Sequence, residues 1–210
     1  MDGKFTKLSP KNLLFCTFKM PVVLHRNIDN NTQLAIWEMS EPLEELLLLG
    51  VAIPENIKSN KRMKEWVCTR LLLKQLAPGT TISYNQHGAP TLSNGNAISI
   101  SHSREYCTIL VSMQTAAVDI EFISTKAIQL KDQFISEKEE ILIIKSEIYT
   151  LIWCAKECLF KIHQKGNLIF KEDLIIKKIE HSSINTSLKK TTYNLHFEKF
   201  EDYFLVYYFE

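Results

Sequence analysis

The chain has 210 residues, enough for one large core or two smaller ones of about 100 residues each. Hydrophobic residues make up 45% and charged residues 23%, the balance of an ordinary globular protein. A formal net charge of +1 argues against a general nucleic-acid binder, and no run reaches the ~20 apolar residues that span a bilayer.

The cysteines (Cys16, Cys68, Cys107, Cys154 and Cys158) are odd in number and form no CxxC pair, so they read as reduced core thiols in a reducing compartment. The N-terminus carries Lys4 and Lys7 ahead of a short mixed run and lacks a signal-peptide core, which makes a cytoplasmic location the default.

In chain order, residues 13–18, 22–24 and 34–37 read as short strands separated by polar turns. Pro42 opens a helix that Gly50 closes. A longer helix is expected over residues 57–76, with an apolar stripe through Trp66 and Leu73. Its basic positions Arg62, Arg70 and Lys74 follow a four-residue spacing with Trp66. Residues 81–84 then read as a strand, 86–90 as a turn, and Asn94-Gly95 as a second turn. Strands follow over 97–101, 107–112 and 117–121. Ser136 and Glu139 fit a capping box, from which one long helix is expected to run to Gly166. Residues 174–176, 193–197 and 203–209 complete an antiparallel finish. The last of these runs is aromatic and needs a surface to bury it. The first and second parts share an outline, a charged helix followed by strands, and meet near residue 112.

Two stretches carry chemistry. In Ala117-Val118-Asp119-Ile120-Glu121, read as a strand, alternation puts Asp119 and Glu121 on one side and Val118 and Ile120 on the other. Two acids side by side are stable if a cation lies between them or if one is protonated, although an ordinary strand with a polar face has the same pattern. In the helical run from Leu151 to Lys161, Trp153, Glu157 and Lys161 follow one another by single turns, while Lys156 projects about 100° from Glu157.

Val-Asp-Ile-Glu followed by Trp-x-x-Lys-Glu-x-x-x-Lys resembles the surfactin-type 4′-phosphopantetheinyl transferases. Three more elements of that family have counterparts in order: Gly88-x-Pro90, Ser101-His102-Ser103, and a Phe134 to Glu139 stretch similar to Phe-Ser-x-x-Glu. The helix around Arg62, Trp66 and Arg70 resembles the family's arginine-bearing helix, and the likeness covers roughly residues 60–166.

The resemblance implies an α+β fold, a pseudo-dimer of two similar halves (1–112 and 113–210) with the active site between them, and a monomer. It implies transfer of phosphopantetheine from coenzyme A to a serine of an apo acyl or peptidyl carrier protein, with magnesium and release of 3′,5′-ADP. No nucleic acid and no membrane take part. By the same likeness Asp119, Glu121 and Glu157 are metal ligands; Glu157 is also the best candidate to take the serine proton, directly or through a metal-bound water, and Lys156 and Lys161 are expected to meet the pyrophosphate or the leaving group.

Ser101 and His102 correspond to coenzyme A phosphate contacts, and Arg62 or Arg70 to a 3′-phosphate contact. Gly88 and Pro90 shape the loop under the adenine. The family's lysine between that glycine and proline is Ala89 here, a loss of about 1–3 kcal/mol in affinity if nothing compensates. An inactive coenzyme A- or carrier-binding module and a magnesium-dependent phosphohydrolase are the alternatives.

Overall fold

The computed structural model describes residues 22–210. The expected strand at 13–18, and Cys16, lie outside the described residues. The class is α+β, built on a four-stranded sheet and a five-stranded sheet, both antiparallel, with a separate two-stranded ribbon.

The first sheet has the order β1 (Val22–Asn27), β2 (Thr32–Glu38), β6 (Tyr106–Ser112), β5 (Ala97–Ser103). Between β2 and β5 the chain makes a short helix α1 (Leu43–Leu47), the long helix α2 (Asn60–Leu76) and the ribbon of β3 (Ile82–Tyr84) and β4 (Pro90–Leu92). Helix α2 starts three residues later than the sequence predicts. Ser59 stops it there: its backbone is extended and its hydroxyl accepts the Arg62 amide at 3.2 Å.

The second sheet has the order β7 (Ala116–Phe122), β11 (Tyr203–Phe209), β10 (Thr191–Phe200), β9 (Ser183–Leu188), β8 (Leu174–Ile179). Helices α3 (Thr125–Gln129), α4 (Lys131–Phe134), α5 (Ile148–His163) and α6 (Phe170–Asp173) lie between β7 and β8. Connection order recurs in the two sheets. A strand leads through a long helix to a hairpin whose second strand inserts beside the first: β6 between β2 and β5, β11 between β7 and β10.

Both faces of the central strands are buried. In β2, Ala35 and Trp37 pack with Val67 and Leu71 of α2, while Leu34 and Ile36 turn to the opposite cluster. There they meet Val118 and Ile120 of β7 and Leu205 and Tyr207 of β11, so the two sheets share a core. The other face of β7 and β11, with Ala117, Phe204 and Val206, packs with Leu151, Ala155 and Leu159 of α5. Each fully buried aliphatic side chain here stabilises by about 1.5–3 kcal/mol. This two-sided burial is the surface the C-terminal aromatic run requires: Tyr203, Phe204, Leu205 and Val206 are all 3% exposed or less. Cys68, Cys107, Cys154 and Cys158 are buried free thiols. Among the described residues no helix is long and apolar enough to cross a membrane.

Two expectations are corrected. The long helix begins at Ile148, not at Ser136. Ser136 does bond Glu139, through both its amide (2.8 Å) and its hydroxyl (2.7 Å). But Glu139 is drawn inward to Lys156, and the chain closes into a 3-10 turn at Glu140–Leu142 that leaves Ile141 and Ile144 more than 80% exposed. Strand β9 was not expected, because its sequence Ser-Ile-Asn-Thr-Ser-Leu is half polar. The sheet satisfies that polarity: the buried Thr186 hydroxyl donates to the Tyr193 carbonyl at 3.0 Å.

Candidate functional site

The site grows from the seam between the sheets. Strands β5 and β7 run together there, yet each pairs its backbone within its own sheet. Alternation in Ala97–Ser103 points Ser99, Ser101 and Ser103 to one side. Their hydroxyls accept from the amides of Val118 (2.9 Å), Ile120 (3.3 Å) and Phe122 (3.0 Å). The Ser99 hydroxyl donates back to the Val118 carbonyl at 3.4 Å, while the other two protons go to the intervening acids: Ser101 donates to Asp119 Oδ1 at 2.6 Å and Ser103 to Glu121 Oε2 at 3.2 Å. Three serines therefore do the work of a missing ladder and, with the same atoms, fix two carboxylates.

Helix α5 crosses these acids with the face its sequence predicts. At one end the Trp153 indole donates to Glu121 Oε1 at 3.1 Å. At the other, Lys161 Nζ donates to Asp119 Oδ1 at 2.7 Å and to the Val118 carbonyl at 2.9 Å. Glu157 lies one turn from each and so faces the same strand. Burial, then Asp119 and Glu121, push the Glu157 carboxyl up to about 7, against the pull of Lys161. Burial and the neighbouring Asp119 likewise push Glu121 up to about 7. Burial would lower the Lys161 ammonium, but Asp119 and Glu157 outweigh it and the value is raised. The three acids sense one another across the strand and the helix.

A cleft of about 320 Å³ opens at the Lys161 end of this helix. Arg62, Gly88, Pro90, His102, Glu157 and Lys161 line it, all candidates from sequence. The loop under it is fixed by Asn85, whose side-chain oxygen accepts the amides of His87 (2.9 Å) and Ala89 (3.0 Å). Gly88 takes φ +80° there, a conformation that favours glycine. His102 bonds the Thr69 hydroxyl at 2.9 Å, and burial, then Lys161 and Arg62, lower it to about 3, so it serves as a neutral hydrogen-bonding group.

Arg62 is exposed and pairs with Glu65 at 2.8 Å. Arg70 lies over the Trp66 ring, 3.0 Å from its centroid, in a side pocket of about 50 Å³ that shares Arg62, Tyr84 and His102 with the main cleft. Sequence reasoning missed Tyr84, His87, Phe160 and Gln164 as lining residues. His87, inside the Gly-x-Pro turn, was the one with a usable signal.

Two candidates stand elsewhere. Lys156 is not at the cleft. It is fully buried, and its ammonium donates to Glu139 at 2.9 Å and to the carbonyls of Phe134 and Phe170. A 100° step from Glu157 carries it off the acid-facing side of α5 and into the core, where Glu139 is its counter-charge. Ser101 is also not a lining residue. Its hydroxyl is spent on Ile120 and Asp119, so it can reach no ligand in the cleft.

Among the described residues no three His, Cys, Asp or Glu side chains are set closely enough to hold a metal ion as they stand. The donors nevertheless suit a hard divalent cation. Asp119 Oδ2 is buried without a partner, two of the three acids are raised, and among the described residues Lys161 is the only cation bonded to the trio. A scan against family models found none that matches this chain, and a search of curated proteins found no match either.

Proposed function

We propose that the chain is a magnesium-dependent 4′-phosphopantetheinyl transferase of the surfactin type, whose two α+β halves (1–112 and 113–210) are a pseudo-dimer with the active site at their seam. The observation that carries this reading is that Glu157, which lines a cleft with Arg62, His102 and the Gly88–Pro90 loop, shares its electrostatic field with Asp119 and Glu121, more than 30 residues earlier in the chain.

Asp119, Glu121 and Glu157 would hold the magnesium, whose charge would neutralise that of the coenzyme A diphosphate. The remaining work falls to the chain. Arg62 or Arg70 presents its guanidinium group to the 3′-phosphate, with the neutral His102 ring beside it. Glu157, which lines the cleft, is placed to accept the carrier serine proton. The serine oxygen then bonds the phosphorus next to the pantetheine, and the bond from that phosphorus to the oxygen of the 3′,5′-ADP phosphate breaks. Lys161 faces the charge that collects on this leaving group. Lys156 takes no part in the chemistry.

Incubation with coenzyme A, magnesium and an apo carrier protein tests the proposal. Gain of the phosphopantetheine mass on the carrier is the expected result. Release of 3′,5′-ADP with an unmodified carrier would instead make the protein a hydrolase, and neither product would leave a binding module.

Two further outcomes are expected. Magnesium at a hundredfold its Kd should raise the Tm by about 5–10 °C at pH 8, and by less at pH 5.5, where protons hold Glu121 and Glu157. Differential scanning fluorimetry of wild type and Asp119→Asn checks this; equal shifts in both would remove Asp119 from the cation site. Arg70→Ala should raise the KM for coenzyme A about tenfold or more and that for 3′-dephospho-coenzyme A much less. Equal effects would place Arg70 away from the 3′-phosphate.

A further inference from the structure

A second hollow, which the transfer chemistry leaves unused, opens at the other end of the seam. It encloses about 580 Å³ between the start of α2 and the β5–β6 turn, and its walls carry Lys61, Lys64 and Arg104. Glu105 is the single carboxylate among its lining residues. The nearby Glu65, 3.8 Å from Lys61, is also bonded by Arg62 at 2.8 Å, so these two charges cancel and leave the excess of cations in the hollow unchanged. In a chain of net charge +1, three cations against one acid is a local concentration.

Arg104 is held in place. It occupies the left-handed region at φ +51°, uncommon for a residue with a side chain, and its guanidinium lies 3.2 Å from the centroid of the Phe122 ring. Lys64 is half-buried, its ammonium 3.5 Å from the Met39 carbonyl. The residue before Arg104 is Ser103, which bonds Glu121, and the residue beneath it, Phe122, follows Glu121. The basic hollow is therefore one residue removed from the acid cluster on two strands, and it shares only the neighbourhood of Glu121 with that site.

Resting on the transferase reading, we propose that this hollow receives an acidic face of the serine-bearing partner protein and so delivers the serine to the Glu121 side of the acid cluster. Coenzyme A has its own cations in the main cleft. A macromolecular partner needs orientation, which a fixed arginine flanked by two lysines supplies as charge complementarity and a faster, salt-sensitive encounter.

Lys61→Glu/Arg104→Glu tests this, with the triple variant that adds Lys64→Glu as a second reading if it keeps the wild-type Tm. An apo acyl carrier protein with an acidic helix is the probe. At about 50 mM salt the double variant should raise the KM for the carrier about tenfold or more, leaving kcat and the KM for coenzyme A unchanged. In wild type the carrier KM should climb between about 50 and 500 mM salt, and in the variant it should not.

An unchanged carrier KM overturns the docking proposal while the transferase reading stands. If wild type transfers nothing, the transferase reading fails, and direct binding of the same carrier by fluorescence anisotropy then judges the hollow. Binding lost on charge reversal supports it, and binding that is absent or unaffected overturns it. Duplex DNA bound by wild type and released by the double variant, with the carrier unaffected, overturns it too.

Discussion

Glu157→Gln should lower transfer by at least about a thousandfold while making the metal-free protein more stable. Both halves of this result come from the same placement. The carboxylate is the group placed to take the serine proton, and an amide of the same shape cannot accept it. The stability gain follows from linkage. Burial, then Asp119 and Glu121, raise the folded-state value from 4.5 to about 7. The folded protein thus prefers the protonated form. Stability from this group is fully present below 4.5, declines as pH rises, and is lost above about 7. At pH 8 the ionised glutamate costs on the order of 2 kcal/mol, allowing for its partial exposure, and glutamine removes that cost. A higher Tm for the variant at pH 8, with little difference at pH 4.5, is the expected pattern by scanning calorimetry in chelator. A variant that is less stable at pH 8 would mean that Glu157 does not share the field of the other two acids.

The second large effect is structural. Lys156→Ala should cost about 3–5 kcal/mol, because it strips the counter-charge from a carboxylate that is itself fully buried. Glu139 is more than an ion partner: one oxygen accepts the Ile176 amide at 2.7 Å and the other accepts Ser136. It ties α5 to the 134–139 turn and to β8. Lys156→Met/Glu139→Gln discharges both partners and keeps an acceptor for Ile176, so it should recover most of what either single change loses. Urea denaturation of the four proteins closes the cycle. If Lys156→Ala folded with wild-type stability but lost transfer, the lysine would return to the chemistry and its buried placement would be refuted.

The difference between these two residues marks what a sequence can reveal. Asp119, Glu121, Trp153, Glu157 and Lys161 were legible because each shares a face with its companions at a period fixed by local geometry, two in a strand and four in a helix. Lys156 and Glu157 are neighbours with opposite fates, and nothing local says which charge turns inward. That depends on Glu139, 17 residues earlier, whose capping-box spacing to Ser136 suggested a helix start instead. Ser101 failed for a related reason. Its place beside His102 implied a shared ligand, but alternation in the strand sends one to the seam and the other to the cleft. The strand at Ser183–Leu188 stayed hidden because half its residues are polar and the buried Thr186 hydroxyl answers to a partner across the sheet.

The serine ladder has a consequence for how the molecule could be divided. Hydroxyls at Ser99, Ser101 and Ser103 are the polar joinery between β5 and β7, and the apolar faces of both sheets close over each other beside them. Cutting the chain near residue 112 would strand three amides and two acids at one new surface and bare the greasy flank of each fragment. The piece from residue 113 onward would keep Asp119, Glu121 and Glu157 but lose the Ser101 and Ser103 hydroxyls that fix the first two, while the cleft-lining Arg62 and His102 would leave with the other piece.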